Sequence, residues 1–88
     1  MENAKYIIVE TRGVEVPIVF SSLLDHFIIG RGHKVISAGF CAVGAKPTEK
    51  DAENIDVSVF GKSVTLKIDS RKEDALIIQK VLRYQFYC

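Results

Sequence analysis

Gly30-Arg31-Gly32-His33-Lys34 puts three side chains able to carry positive charge into one short stretch, and its two glycines would let the backbone approach an anion. The chemistry on offer is phosphate contact. Arg31, His33 and Lys34 are therefore the candidates for an anion or nucleic-acid site, with Arg12 or Lys62 as possible helpers. Position weakens this reading, because the stretch follows an expected helix whose C-terminal end is the negative end of its dipole, leaving an anion to the side chains alone.

Other constellations fall short for stated reasons. Asp25, His26, His33 and Cys41 carry metal-binding donor atoms, but no pair has a ligand spacing such as Cys-x-x-Cys or His-x-x-x-His. Cys41 with a histidine has the residue types of a nucleophile and its base, yet it lies in an apolar run, where cysteine usually serves as a small hydrophobe. Gly61-Lys62-Ser63 matches the end of a phosphate-binding P-loop, but the first glycine of that motif would fall on Asp56. A strand is also expected where the motif requires a helix N-terminus. The expectation is a chain that is not an enzyme and that takes no metal or cofactor.

These residues must be positioned by elements whose signals run along the whole chain. Tyr6–Thr11 and Val14–Phe20 read as a first hairpin around Gly13. An Arg12-Gly13 turn would oppose Glu10 and Glu15, whereas a Gly13-Val14 turn would oppose Arg12 and Glu15, so like-charge repulsion favours the second. Pro17 lacks a backbone donor and marks its strand as an edge. Ser21 or Ser22 then caps a short helix carrying Leu23, Leu24, Phe27 and Ile28 on its packing face, with Gly30 as a left-handed stop. Val35–Val43 is apolar or small at both alternating sets, which predicts a central strand, and Gly39 within it marks a bulge or a close backbone approach. Gly44–Asn54 is polar and turn-rich, and reads as a long, mobile connection.

Ile55–Phe60 and Ser63–Ile68 alternate around Gly61-Lys62, which predicts a second hairpin pairing Val57 with Leu66 and Val59 with Val64. Ser70 and Glu73 have capping-box spacing for a last helix from Arg71 to about Arg83, with Ala75, Ile78, Val81 and Leu82 as its core stripe. The order ββαβββα predicts one α+β domain over residues 1–88, a two-layer structure in which an antiparallel sheet of about five strands carries both helices on one face.

Composition narrows the function classes. Twelve basic and eleven acidic residues leave a net charge of +1, without the global basic excess of a nucleic-acid binder. Two cysteines are too few for a disulfide framework, the start lacks a signal-peptide core, and the apolar runs are far shorter than a membrane span. A cytoplasmic protein with no membrane association is expected. Yet 48% of the residues are hydrophobic, which is rich for 88 residues and predicts apolar surface left outside the core.

Ser37-Ala-Gly-Phe40, Phe60-Gly-Lys-Ser-Val-Thr-Leu66 and Ser70-Arg-Lys-Glu-Asp-Ala75, in their order and spacing, resemble short uncharacterised proteins encoded in bacterial phage and prophage regions. The resemblance implies a small accessory protein of a mobile element and carries over no functional residue. The expected function is a non-enzymatic protein-binding or assembly module, with a homodimer as its simplest form. Its contact surface is expected on the sheet face away from the helices, from Tyr6, Ile36, Phe40 and Phe60, with Tyr84 and Phe86 near the C-terminus. The alternative is a nucleic-acid accessory protein that uses the basic loop Arg31–Lys34.

Overall fold

A computed structural model describes residues 2–45 and 55–87, with side chains described for 3–44 and 56–82. Its elements in chain order are β1 (Glu2–Thr11), β2 (Val14–Phe20), α1 (His26–Gly30), β3 (Lys34–Ala45), β4 (Ile55–Phe60), β5 (Lys62–Ser63), β6 (Ile68–Asp69) and α2 (Asp74–Tyr87). The chain is α+β, as its patterning predicts. Four strands form an antiparallel sheet in the order β2-β1-β3-β4, and β5 pairs β6 in a separate two-stranded ribbon. The segment 46–54, most of the expected long connection, lies outside the described residues.

β3 is interior, paired to β1 on one side and β4 on the other, which is what its two apolar faces predict. Alternation along β1 supplies both faces in turn. Tyr6 and Ile8 join Cys41 and Ile78 of α2 in one core cluster, with Ile36, Val57, Val59 and Leu82 packed around it. Ile7, Val9 and Ala38 form a second cluster on the opposite face, covered by Ile29 of α1 and by Leu66 and Ile68 around the ribbon. The two helices therefore lie on opposite faces, where a single helical layer is the expectation. Residues 34–39 of β3 extend past the end of β4, and the bare apolar surface this leaves requires a second cover. A register shift between Ile8 and Val9 places an extra residue, Ile36, in β3 beside this region.

Three local expectations change for identifiable reasons. The first hairpin turns at Arg12-Gly13, with φ of 53° and 76°, and opposes Glu10 to Glu15. Two successive positive φ values make the turn whose twist suits a two-residue hairpin. The like-charge cost is relieved because each glutamate finds a cation elsewhere: Glu10 accepts from Lys34 at 3.3 Å and Glu15 from Arg71 at 2.7 Å. β2 ends the sheet, as Pro17 predicts.

The second expected hairpin does not form. Gly61, at φ 73°, carries the chain off the end of β4, and the Ser63 hydroxyl accepts the backbone N–H of Leu66 at 3.1 Å. Lys67, at φ 58°, completes a tight turn, so that Lys62 pairs with Asp69 and Ser63 with Ile68. A side chain that bonds its own neighbouring backbone competes with a strand ladder. Here it wins, because the curl delivers Leu66 and Ile68 to the second core face.

α1 begins later than expected. Asp25, not Ser22, is the N-cap, accepting Phe27 N–H at 2.8 Å. Gly30 is the last helical residue and has no positive φ; the left-handed residue is Gly32, at φ 82°. A Cβ on Gly30 would approach Val35 Cγ2 to 2.9 Å, so its bare backbone permits α1 to sit tightly on the sheet. Gly39 likewise marks a close approach, where a Cβ would lie 2.7 Å from the Phe60 carbonyl oxygen. α2 starts at Asp74, three residues after the expected start, and of its predicted stripe Ile78 is buried while Val81 is exposed.

Candidate interaction surface

α1 departs from the usual amphipathic arrangement, although its Ile29 still packs on the core. Its one titratable residue, His26, is buried, while the apolar residues expected to pack against the sheet point outward. Leu23 is 93% exposed, Phe27 53% and Ile28 64%, and Val64 in the neighbouring ribbon turn is 76% exposed. Leu24 is exposed beside them.

The burial of His26 follows from where the cap falls. With Asp25 as N-cap, His26 is the first helical residue and meets a row of aromatic rings that crosses the sheet. Its ring stands edge-on to Phe20 and Phe40, with centroids 5.6 and 5.7 Å away, and Phe40 stacks on Phe60 at 5.9 Å. His26 Nε2 lies 2.7 Å from the Gly39 carbonyl oxygen, which satisfies one polar end of the buried ring. Lys5 donates to the Leu24 carbonyl oxygen at 2.8 Å, and Thr65 donates to Asp25 Oδ1 at 2.8 Å. The Phe27 N–H and then the Thr65 hydroxyl hold the Asp25 carboxyl below its ordinary range. Five residues of helix are thus anchored at several points, and their apolar outer side is presented on a fixed frame.

The expected contact residues are dispersed. Tyr6 is wholly buried, so it cannot belong to a free surface, and Ile36 packs half-buried against the α2 core. Phe40 is half-buried under His26, and Phe60 keeps an exposed flank at the end of the aromatic row. Tyr84 and Phe86 lie in the last turns of α2, where the side chains are outside the described residues. Among the described residues neither sheet face is wholly bare, since α2 packs on one side and α1 with the ribbon on the other.

The basic candidates fare differently. Arg31, His33 and Lys34 are all exposed, and the pairing of Glu10 with Lys34 places the Arg12 turn at the same end of the sheet. Lys34 is tied to Glu10. Lys62 lies elsewhere, in a hollow lined also by Lys5, His26 and Thr65. His26 and Cys41 belong to opposite faces of the sheet, and burial raises the Cys41 thiol, which lowers its thiolate fraction. Among the described residues no three His, Cys, Asp or Glu side chains gather as metal ligands would, and no helix is long and apolar enough to cross a membrane.

One polar network, running from the buried Tyr6 and Asp74 out to the exposed Glu15, was not legible in the sequence. The Tyr6 hydroxyl donates to Asp74 Oδ2 at 2.6 Å, Arg71 donates its backbone N–H to the same oxygen at 2.9 Å, and the Arg71 guanidinium reaches Asp74 Oδ1 at 2.7 Å and Glu15 at 2.7 Å. Burial, and then the bond to Asp74, push the Tyr6 phenol far above its ordinary value. Glu15 and then Asp74 raise the Arg71 guanidinium further. The network is closed on itself and pins the start of α2 to the sheet. Comparison with protein-family models, curated proteins and solved structures finds no match for this chain.

Proposed function

We propose that this chain is a small non-enzymatic protein-binding module whose contact surface is the outer side of α1 and the adjoining ribbon turn. The observation that carries this reading is the outward display of Leu23, Phe27 and Ile28 on a segment whose histidine is buried beneath it, beside the exposed Val64 of the ribbon turn. Full burial of such a side chain contributes about 1.5–3 kcal/mol, and these four forgo the part of it that a partner would restore. A fixed frame adds to the case, because a preorganised surface loses little entropy on binding. The dispersed histidines and the unactivated Cys41 give no support to catalysis. The setting of an accessory protein from a mobile element follows only from the resemblance to phage-region proteins.

Affinity capture from a host extract tests the reading when run in parallel with Phe27→Glu and Leu76→Glu, the second replacing an exposed apolar residue on α2. Proteins retained by the wild type and Leu76→Glu but lost with Phe27→Glu support α1 as the contact. Light scattering of the same samples separates a second copy of the chain from a different partner. Identical retention by all three would contradict the proposal. The nucleic-acid alternative draws on the exposed Arg12, Arg31 and His33 at one end of the sheet, and would show as binding to DNA that weakens steeply with salt.

A further inference from the structure

Beside the exposed side of α1 lies a groove whose chemistry narrows the kind of partner. Val35, Leu66 and Ile68 supply its apolar floor, Phe27 lies to one side, and the exposed Arg31 and His33 stand on its rim, around an open hollow of about 370 Å³. Gly30 and Gly32 also line it: a Cβ on Gly30 would collide with Val35 of the floor, and Gly32 turns the chain at φ 82°. No carboxylate lines it among the described residues. The nearby Asp25 is engaged by Phe27 N–H and Thr65, and Glu10 by Lys34. The Arg31 and His33 side chains make no hydrogen bond or ion pair among the described residues. An apolar trough with the unpaired Arg31 guanidinium and the His33 ring on its rim, in a chain of net charge only +1, is locally selective in a way the whole molecule is not.

Resting on the protein-binding reading, we infer that this groove takes an acidic peptide segment of the partner: an apolar side chain seated over Val35, Leu66 and Ile68, with flanking carboxylates accepting from Arg31 and His33. The trough has room for an aliphatic side chain, which nucleic acid does not offer, and a guanidinium on the rim suits the paired oxygens of a carboxylate. Electrostatic complementarity would set the choice among partners, and apolar burial would hold the chosen one.

The test is fluorescence anisotropy with three short labelled peptides: leucines flanked by glutamates, the same leucines flanked by lysines, and the glutamates with serine in place of leucine. The first should bind saturably, and the other two at least about tenfold more weakly, the change expected from losing one charge-assisted contact or one buried aliphatic group. Arg31→Glu with His33→Glu, both surface changes, should transfer preference to the lysine peptide while leaving the circular dichroism unchanged. Phe27→Glu should weaken the first peptide by a similar factor. Equal binding of the glutamate and lysine peptides, or of the leucine and serine peptides, would overturn the inference. So would a single-stranded oligonucleotide that binds more tightly than the first peptide and is lost with Arg31→Glu. If the peptides fail while Phe27→Glu still releases captured proteins, the groove assignment falls and the protein-binding reading stands. If both fail, both fall.

Discussion

Replacing Tyr6 by Phe removes one oxygen atom and keeps the ring that fills the core between β1 and α2. The lost atom donates at 2.6 Å to Asp74 Oδ2, which keeps one other donor, the Arg71 backbone N–H at 2.9 Å. A hydrogen bond to a charged group contributes about 1.5–3 kcal/mol, and Asp74 is fully buried, so water cannot substitute without opening the start of α2. At about 2.1 cal/mol/K of unfolding entropy per residue, an 88-residue domain loses roughly 5 °C per kcal/mol, which places the variant roughly 8–16 °C below the wild type. Thermal melts by circular dichroism read this directly. The pH dependence adds a check of sign. A phenol raised by folding contributes stability that is complete below its ordinary value of 10.0 and declines as pH rises beyond it, so the advantage of the wild type should shrink in alkali. A cost under about 0.5 kcal/mol, the range of an indifferent surface change, or an advantage that grows with pH, would refute the network as the clamp on α2.

Asp25→Asn should lower the melting temperature at neutral pH, with the gap to wild type closing as pH falls below the ordinary carboxyl value of 3.8, because a carboxyl held low by folding loses its contribution only when it is protonated in the folded state. Gly39→Ala should cost about 1–3 kcal/mol in denaturant melts, since the added methyl would meet the Phe60 carbonyl oxygen at 2.7 Å and backbone must move. Val59→Ala should cost about 1–2 kcal/mol and Val64→Ala less than about 0.5, because Val59 packs on the α2 core and Val64 faces solvent; comparable losses in the two melts would restore the hairpin that pairs them.

What could be read from residues alone was what depends on short-range chemistry. The apolar faces of Val35–Val43 identify an interior strand because no arrangement exposes either face cheaply, and Pro17 identifies an edge because it has no donor to give. Gly39 marks a close approach because only a missing Cβ allows it. The misreadings have a common origin in long-range competition. Alternation in Ser63–Ile68 is as compatible with a strand as with the curl observed, and the choice was made by the overhang of β3, which no local pattern displays. The face of α1 depends on a cap shifted from Ser21 or Ser22 to Asp25, which makes His26 the first helical residue and brings it to the Gly39 carbonyl. The surplus of apolar residues is legible in the sequence, but its expected place, the sheet face carrying Tyr6, Ile36, Phe40 and Phe60, is not where the exposed residues gather, because Tyr6 is wholly buried and Ile36 packs on the α2 core.

The central claim is that partners meet the molecule on the outer side of α1. A photo-reactive phenylalanine analogue placed at position 27, and separately at position 76 on the exposed side of α2, tests it without removing apolar character. On illumination with host extract, position 27 should give discrete cross-linked bands that persist in high salt, while position 76 should give none. Bands of equal intensity from both positions, or bands from position 76 alone, would contradict the claim.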